Sequence, residues 1–215
     1  MHYVDENHLA FDPASLGFPS ILGCQAICLQ TSRGLYGFHD YKSGTQGRLE
    51  DATPLDVSND KLTLFARWIA DHKDPNEVFV ALYGVINRAQ QYATTVSGVA
   101  DWESVLMGLA SALEFTGDVY GARLNSHLGT NDSAYVQFDL VGPSCAVGFK
   151  RWSKMSADIH NKVTPVVQQR VVSRGGTFVT ENLYGRGQVA PVVRKVATKG
   201  FNLNKLSKSQ FTKFQ

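Results

Sequence analysis

The sequence is short of cysteine, and the few cysteines it has follow no framework. Three thiols in 215 residues, an odd number without disulfide or zinc-site spacing, predict reduced cysteines in a cytosol. No apolar run reaches about 18 residues, so no membrane-spanning helix is expected. The opening Met1-His2-Tyr3-Val4-Asp5-Glu6 has neither a basic n-region nor an apolar h-region, so no secretory signal is expected either. The expected location is the cytoplasm, or a host cytosol reached through an export machine that needs no such signal. Gly-x-Gly-x-x-Gly, the phosphate loop and Gly-x-Ser-x-Gly are missing. His2, His8, His72 and His160 stand in no His-x-x-x-His or Cys-x-x-Cys context. No cofactor and no metal are expected.

Acidic residues are absent from residues 182–215, which hold seven bases: Arg186, Arg194, Lys195, Lys199, Lys205, Lys208 and Lys213. Residues 1–60 lean the other way, with eight acids against three bases, and the formal net charge is only +2. The basic C-terminal segment, about residues 195–215, is expected to be solvated and dispensable for chemistry. With Phe201, Phe211 and Phe214 interleaved, it suits nucleic acid, an anionic membrane or an acidic partner, though none of these is favoured.

What is present reads as one globular domain over residues 1–215, 43% hydrophobic and long enough for a real core. Asp12-Pro13 and Phe18-Pro19 are turn signals, so residues 1–20 are expected to be irregular. Leu62, Phe65, Ala66 and Ile69 recur at helical spacing and predict a helix over residues 59–72. Residues 77–83 read as a strand, with a helix through Asn87 to Tyr92 after Gly84. Asp101 caps a second helix in which Trp102, Val105, Leu106, Leu109 and Leu113 share a face. From Gly117 onward strands are expected at 119–127, 134–141, 145–152, 163–172 and 177–183. Segregated helices and strands predict an α+β fold: a layered sandwich of mostly antiparallel β-sheet with helices packed on the sheet faces.

The stretch Ile21 to His39 carries the chemistry. Ile21–Leu29 and Leu35–Tyr41 are apolar runs separated by Thr31-Ser32-Arg33-Gly34, a β-hairpin signal. A two-residue turn at Ser32-Arg33 sets Cys24 opposite Tyr41, Ala26 opposite His39 and Cys28 opposite Gly37. Opposed residues share a face, as do alternate residues along a strand, so Cys24, Cys28 and His39 point the same way. Diagonal neighbours in such a ladder lie about 7–8 Å apart between Cα atoms, within an imidazole's reach. Cys24 follows Gly23 at the start of its strand, where the backbone is expected to be open to a substrate. Cys28 lies four residues deeper between Ile27 and Leu29 and is expected to pack as a small hydrophobe. Cys24 is therefore the candidate nucleophile.

The pattern Leu22-Gly23-Cys24, an apolar strand, a turn and Leu35-Tyr36-Gly37-Phe38-His39 resembles the core of the cysteine–histidine glutamine deamidases. These are the chemoreceptor glutamine deamidases and the catalytic domains of cytotoxic necrotizing factor-type toxins. In both, a Gly-Cys starts a strand and the catalytic histidine follows about one hairpin later. The resemblance covers residues 17–45. It implies a Cys24 nucleophile, a His39 acid–base, a thioester intermediate, and a glutamine side chain of a target protein as substrate. It further implies a third group, a threonine hydroxyl or a backbone carbonyl, that orients the histidine. Where the chemoreceptor type has its threonine this chain has Phe18, so Ser20 or a nearby main-chain carbonyl is the candidate. A bacterial effector or toxin is the setting the resemblance suggests.

Other candidates are weaker. Cys145 with His127 or His160 makes a rival pair by residue type alone, and Asp40 falls on the opposite strand face from His39. The same Cys–His pair would also serve a thiol peptidase or acyltransferase. A non-enzymatic binding module using the basic C-terminal segment is the remaining alternative.

Overall fold

The computed structural model describes residues 1–4, 8–41, 61–87, 101–125, 127–128, 132–152, 163–164, 194–196 and 202–214. In chain order these form β1 (His2–Tyr3), β2 (Leu9–Asp12), β3 (Ser15–Ile21), β4 (Cys24–Thr31), β5 (Leu35–Tyr41), α1 (Lys61–His72), β6 (Phe79–Ile86) and α2 (Asp101–Ala112). There follow β7 (Asp118–Arg123), β8 (Ala134–Val141), β9 (Ser144–Arg151), β10 (Val163–Thr164), β11 (Arg194–Val196), β12 (Asn204–Lys205) and β13 (Thr212–Phe214). One sheet has seven strands in the order β10-β11-β1-β3-β8-β9-β12, and the other six in the order β13-β7-β6-β4-β5-β2. The class is α+β, as expected. Both sheets are mixed rather than purely antiparallel, because β1 runs parallel to β3 and β6 parallel to β7. Among the described residues no helix is long and apolar enough to cross a membrane.

Strand β4 shows why the chain folds this way. All eight of its residues are buried, because it lies between β5 and β6 with both faces covered. Ile27 and Leu29 point one way, into a cluster with Phe65, Trp68 and Ile69 of α1 and Val105, Leu106 and Leu109 of α2. Cys24, Ala26 and Cys28 point the other way, against Leu16, Phe18, Val136, Phe138, Val147 and Phe149 of the seven-stranded sheet. Small residues on one side let large ones on the other come close. A Cβ at Gly37 would sit 2.6 Å from Leu16 Cδ1 and 2.8 Å from Phe18 Cζ, so that position has no room for a side chain.

The far end of the β4–β5 hairpin is tied down by a buried carboxylate. Glu77 Oε2 accepts from Arg33 Nη1 at 3.1 Å, the Tyr36 hydroxyl at 3.1 Å and the Asp74 amide at 3.0 Å, and Thr31 Oγ1 bonds Oε1. These contacts join the hairpin turn to the segment between α1 and β6.

Three expectations are corrected. Residues 1–4 and 8–20 are not irregular: they supply β1, β2 and most of β3. Pro19 sits inside β3 because a bulge between Phe18 and Ile21 shifts the register against β8, and Ser20 takes a left-handed φ of 56° there. The strand expected to end at Tyr83 continues through Gly84 to Ile86. Residues 202–214 of the basic C-terminal segment are not a free tail. Strand β12 pairs with β9 in one sheet, β13 pairs with β7 in the other, and a short 3-10 turn at Lys208–Gln210 joins them. Leu206 and Phe211, partly buried, pack against the inter-sheet core and Phe214 against the helix-side core, and Lys205, Lys208 and Lys213 are exposed. The strand expected at 177–183, most of that at 163–172, and the helix through residue 92 lie outside the described residues.

Candidate active site

The hairpin register is the one its alternation predicts: Cys24 pairs with Tyr41, Ala26 with His39 and Cys28 with Gly37. Cys24 and His39 therefore share the face of the six-stranded sheet that looks at the other sheet. They share it near the end where β4 starts and β5 finishes.

The imidazole is held from the opposite sheet. Val4, immediately after β1, donates its N–H to the Gly17 carbonyl at 2.7 Å, and its own carbonyl lies 3.0 Å from His39 Nδ1. A carbonyl only accepts, so Nδ1 carries the proton and Nε2 is the bare nitrogen. Nε2 is buried and has no hydrogen-bond partner. The Phe18 ring stands edge-on to the imidazole, 6.2 Å between centroids. Burial pushes the ring down from 6.5 to about 4, which the bond to Val4 opposes and the nearby His8 reinforces. His39 is thus a neutral base at neutral pH, not the imidazolium that would hold a neighbouring thiol ionised.

The main-chain group that holds the ring is the Val4 carbonyl. The Ser20 hydroxyl makes no bond to the ring, since one ring nitrogen bonds the Val4 carbonyl and the other has no hydrogen-bond partner. The start of β4 is also not open. Cys24 is 2% exposed, inside the apolar cluster that lines the gap between the sheets, and His39 is fully buried with Phe18 of that cluster beside it.

Cys28 behaves as packing, fully buried, its thiol pushed well above the ordinary range by burial and by contact with the Cys145 thiol across the gap. The rival site finds no support in contacts. Cys145 meets Cys28, whereas His127 Nε2 lies 2.7 Å from Gln210 Nε2 and its ring packs on Phe149. His160 lies outside the described residues. Among the described residues no group of three His, Cys, Asp or Glu side chains could hold a metal ion.

One residue at the site has no signal in the sequence. Asn87, one residue beyond β6, is fully buried, and its Nδ2 donates to the Asp132 carbonyl just ahead of β8. Its Oδ1 is buried without a partner. Only the β4–β6 pairing reveals it, by bringing the end of β6 alongside the start of β4. No protein-family model matches the chain, and no curated protein matches its sequence.

Proposed function

We propose that this chain is a protein-glutamine deamidase in which Cys24 is the nucleophile and His39 the acid–base, carried on a layered helix–sheet–sheet sandwich. The observation that supports the reading is the orientation of His39. The Val4 carbonyl fixes its protonated nitrogen, and the other nitrogen is left bare on the face that carries Cys24. A main-chain carbonyl in that role is what the resemblance to the cysteine–histidine deamidases allows.

The chemistry follows from a neutral pair. Nε2 takes the thiol proton as sulfur bonds to the carboxamide carbon and the carbonyl electrons move onto oxygen. Nε2 then returns the proton to nitrogen, the C–N bond breaks, and ammonia leaves a thioester behind. Water adds to the thioester with its proton passing to Nε2. The C–S bond breaks, the proton returns to sulfur, and a glutamate side chain is released.

The site as described is closed, so a carboxamide reaches sulfur only after this end of the sandwich opens locally. A long, thin glutamine side chain of another protein suits such an opening better than a continuous peptide backbone does. A host protein met by an exported effector or toxin is the substrate class we assign.

The test is a search for glutamines converted to glutamate in cells expressing the wild-type chain, Cys24→Ala or His39→Ala. Conversion should depend on both residues, with His39→Ala slower by about 10²–10⁴-fold. Ammonia release without backbone cleavage separates this activity from a thiol peptidase. Equal conversion by wild type and Cys24→Ala would sink the reading.

A further inference from the structure

Asn87 follows directly on β6, beside the start of β4. The β4–β6 ladder pairs Ala26 with Val85 and ends with Gln25 opposite Ile86; carried on by one residue, that register sets Asn87 opposite Cys24. Opposed residues share a face. The Asn87 side chain does reach toward the other sheet, since its Nδ2 bonds the carbonyl of Asp132, two residues before β8. A carbonyl partner requires a donor, so the amide is turned with Nδ2 on Asp132 and Oδ1 away from it. The face that carries Cys24 thus holds two bare, buried acceptors, His39 Nε2 on β5 and Asn87 Oδ1 just past β6. Buried acceptors are ordinarily satisfied. Two left bare on the face of one thiol point to hydrogen atoms that arrive with a ligand.

We propose that Asn87 Oδ1 accepts a hydrogen bond from the N–H2 of the substrate carboxamide, which makes the site selective for a primary amide. This rests on the reading of Cys24 as the nucleophile. With sulfur bonded to the carboxamide carbon, the nitrogen loses amide resonance and gains a lone pair. One N–H stays on Asn87 Oδ1 while that lone pair takes the proton from His39 Nε2, and the C–N bond breaks. The product carboxylate has no proton to give. It meets Oδ1 as one acceptor against another, so glutamate is released where glutamine is held.

The experiment uses the full chain and two peptides that differ only in one side chain, glutamine or the γ-methyl ester of glutamate. The ester keeps the carbonyl and lacks the N–H. Asn87→Ala should lower kcat/KM for the glutamine peptide by about 10–100-fold and leave ester turnover within about threefold. Equal losses on both peptides, or none, would overturn the proposal. Ester turnover that survives Cys24→Ala, or a wild-type chain inert to both peptides, would instead overturn the reading beneath it.

A binding arm needs no chemistry. The Cys24→Ala chain should bind the glutamine peptide more tightly than its glutamate counterpart, and Asn87→Ala should erase the difference. Asn87→Asp keeps an acceptor oxygen and should preserve it, which a merely structural role for the Asp132 contact would not predict. No preference for glutamine in the Cys24→Ala chain overturns the assignment whatever the Asn87 variants do.

Discussion

His39 Nδ1 and the Val4 carbonyl, 3.0 Å apart, bond the six-stranded sheet to the chain just after β1 of the other sheet. The imidazole that makes this bond cannot take a second proton without placing a charge in an apolar interior. Burial lowers it from 6.5 to about 4, so the unfolded chain binds a proton at a pH where the native ring does not. Above 6.5 both forms are neutral and nothing is lost. As pH falls from 6.5 to about 4, stability drops by about 1.4 kcal/mol per unit, to a total of about 3 kcal/mol. Urea unfolding across that window should show a shallower loss in His39→Gln than in wild type. Equal slopes would mean the ring is not buried neutral.

Asp12 does not confuse the measurement. Burial would raise its carboxyl, but the bond from His2 and the amides of Ser15 and Ala14 outweigh burial and bring it from 3.8 to about 2. Its contribution is therefore present above 3.8 and lost only as pH falls from there toward 2.

The Glu77 carboxylate, with no exposed side-chain surface, gathers Arg33, Tyr36, Thr31 and the Asp74 amide. Burial and the nearby carboxylate together push the Tyr36 phenol up. Removing the acceptor strands several donors at once, so Glu77→Ala should cost about 3–5 kcal/mol. Tyr36→Phe, which deletes a single donor, should cost about 1 kcal/mol. Chemical unfolding of the two variants checks the ratio; similar values would mean the carboxylate does not organise the cluster.

The hairpin was legible because its information is local. A period-two alternation and a four-residue polar turn define the pairing of Cys24, Ala26 and Cys28 with Tyr41, His39 and Gly37. What was not legible depends on partners far along the chain. Val4 and Asn87 look like ordinary residues until β1 and β6 arrive beside the hairpin. Strand β3 was hidden by Pro19, which a bulge absorbs. The openness expected at Gly23-Cys24 failed for a similar reason. The start of a strand is exposed only if nothing packs over it, and here a second sheet does.

The C-terminal segment was misread because its lysines dominate its composition. Its apolar residues decide its place: Phe211 packs against Tyr83 and Tyr120 at 6.0 and 6.4 Å, and Lys213 reaches Asp118 at 2.7 Å. Removing residues 202–214 takes a strand from each sheet and should lower the urea midpoint, with a loss of about 3 kcal/mol or more. Phe211→Ala alone, at a half-buried position, should cost about 2 kcal/mol. An unchanged midpoint in the truncated chain would restore the view of a free tail.

The thiols test the proposed site most directly. By exposure alone the order of alkylation in the native protein is Cys145 first, since it is partly exposed and Cys24 and Cys28 are buried. If Cys24 is a nucleophile, its end of the sandwich must open without global unfolding, and iodoacetamide should then reach Cys24 well before Cys28. Its labelling rate should stop rising with reagent concentration once opening limits it. It should also fall in His39→Ala, where no imidazole takes the thiol proton. Peptide mapping over a time course separates the three cysteines. If Cys24 and Cys28 instead label together, at the rate of global unfolding, Cys24 is a core residue like its neighbour, and the pair with His39 is packing.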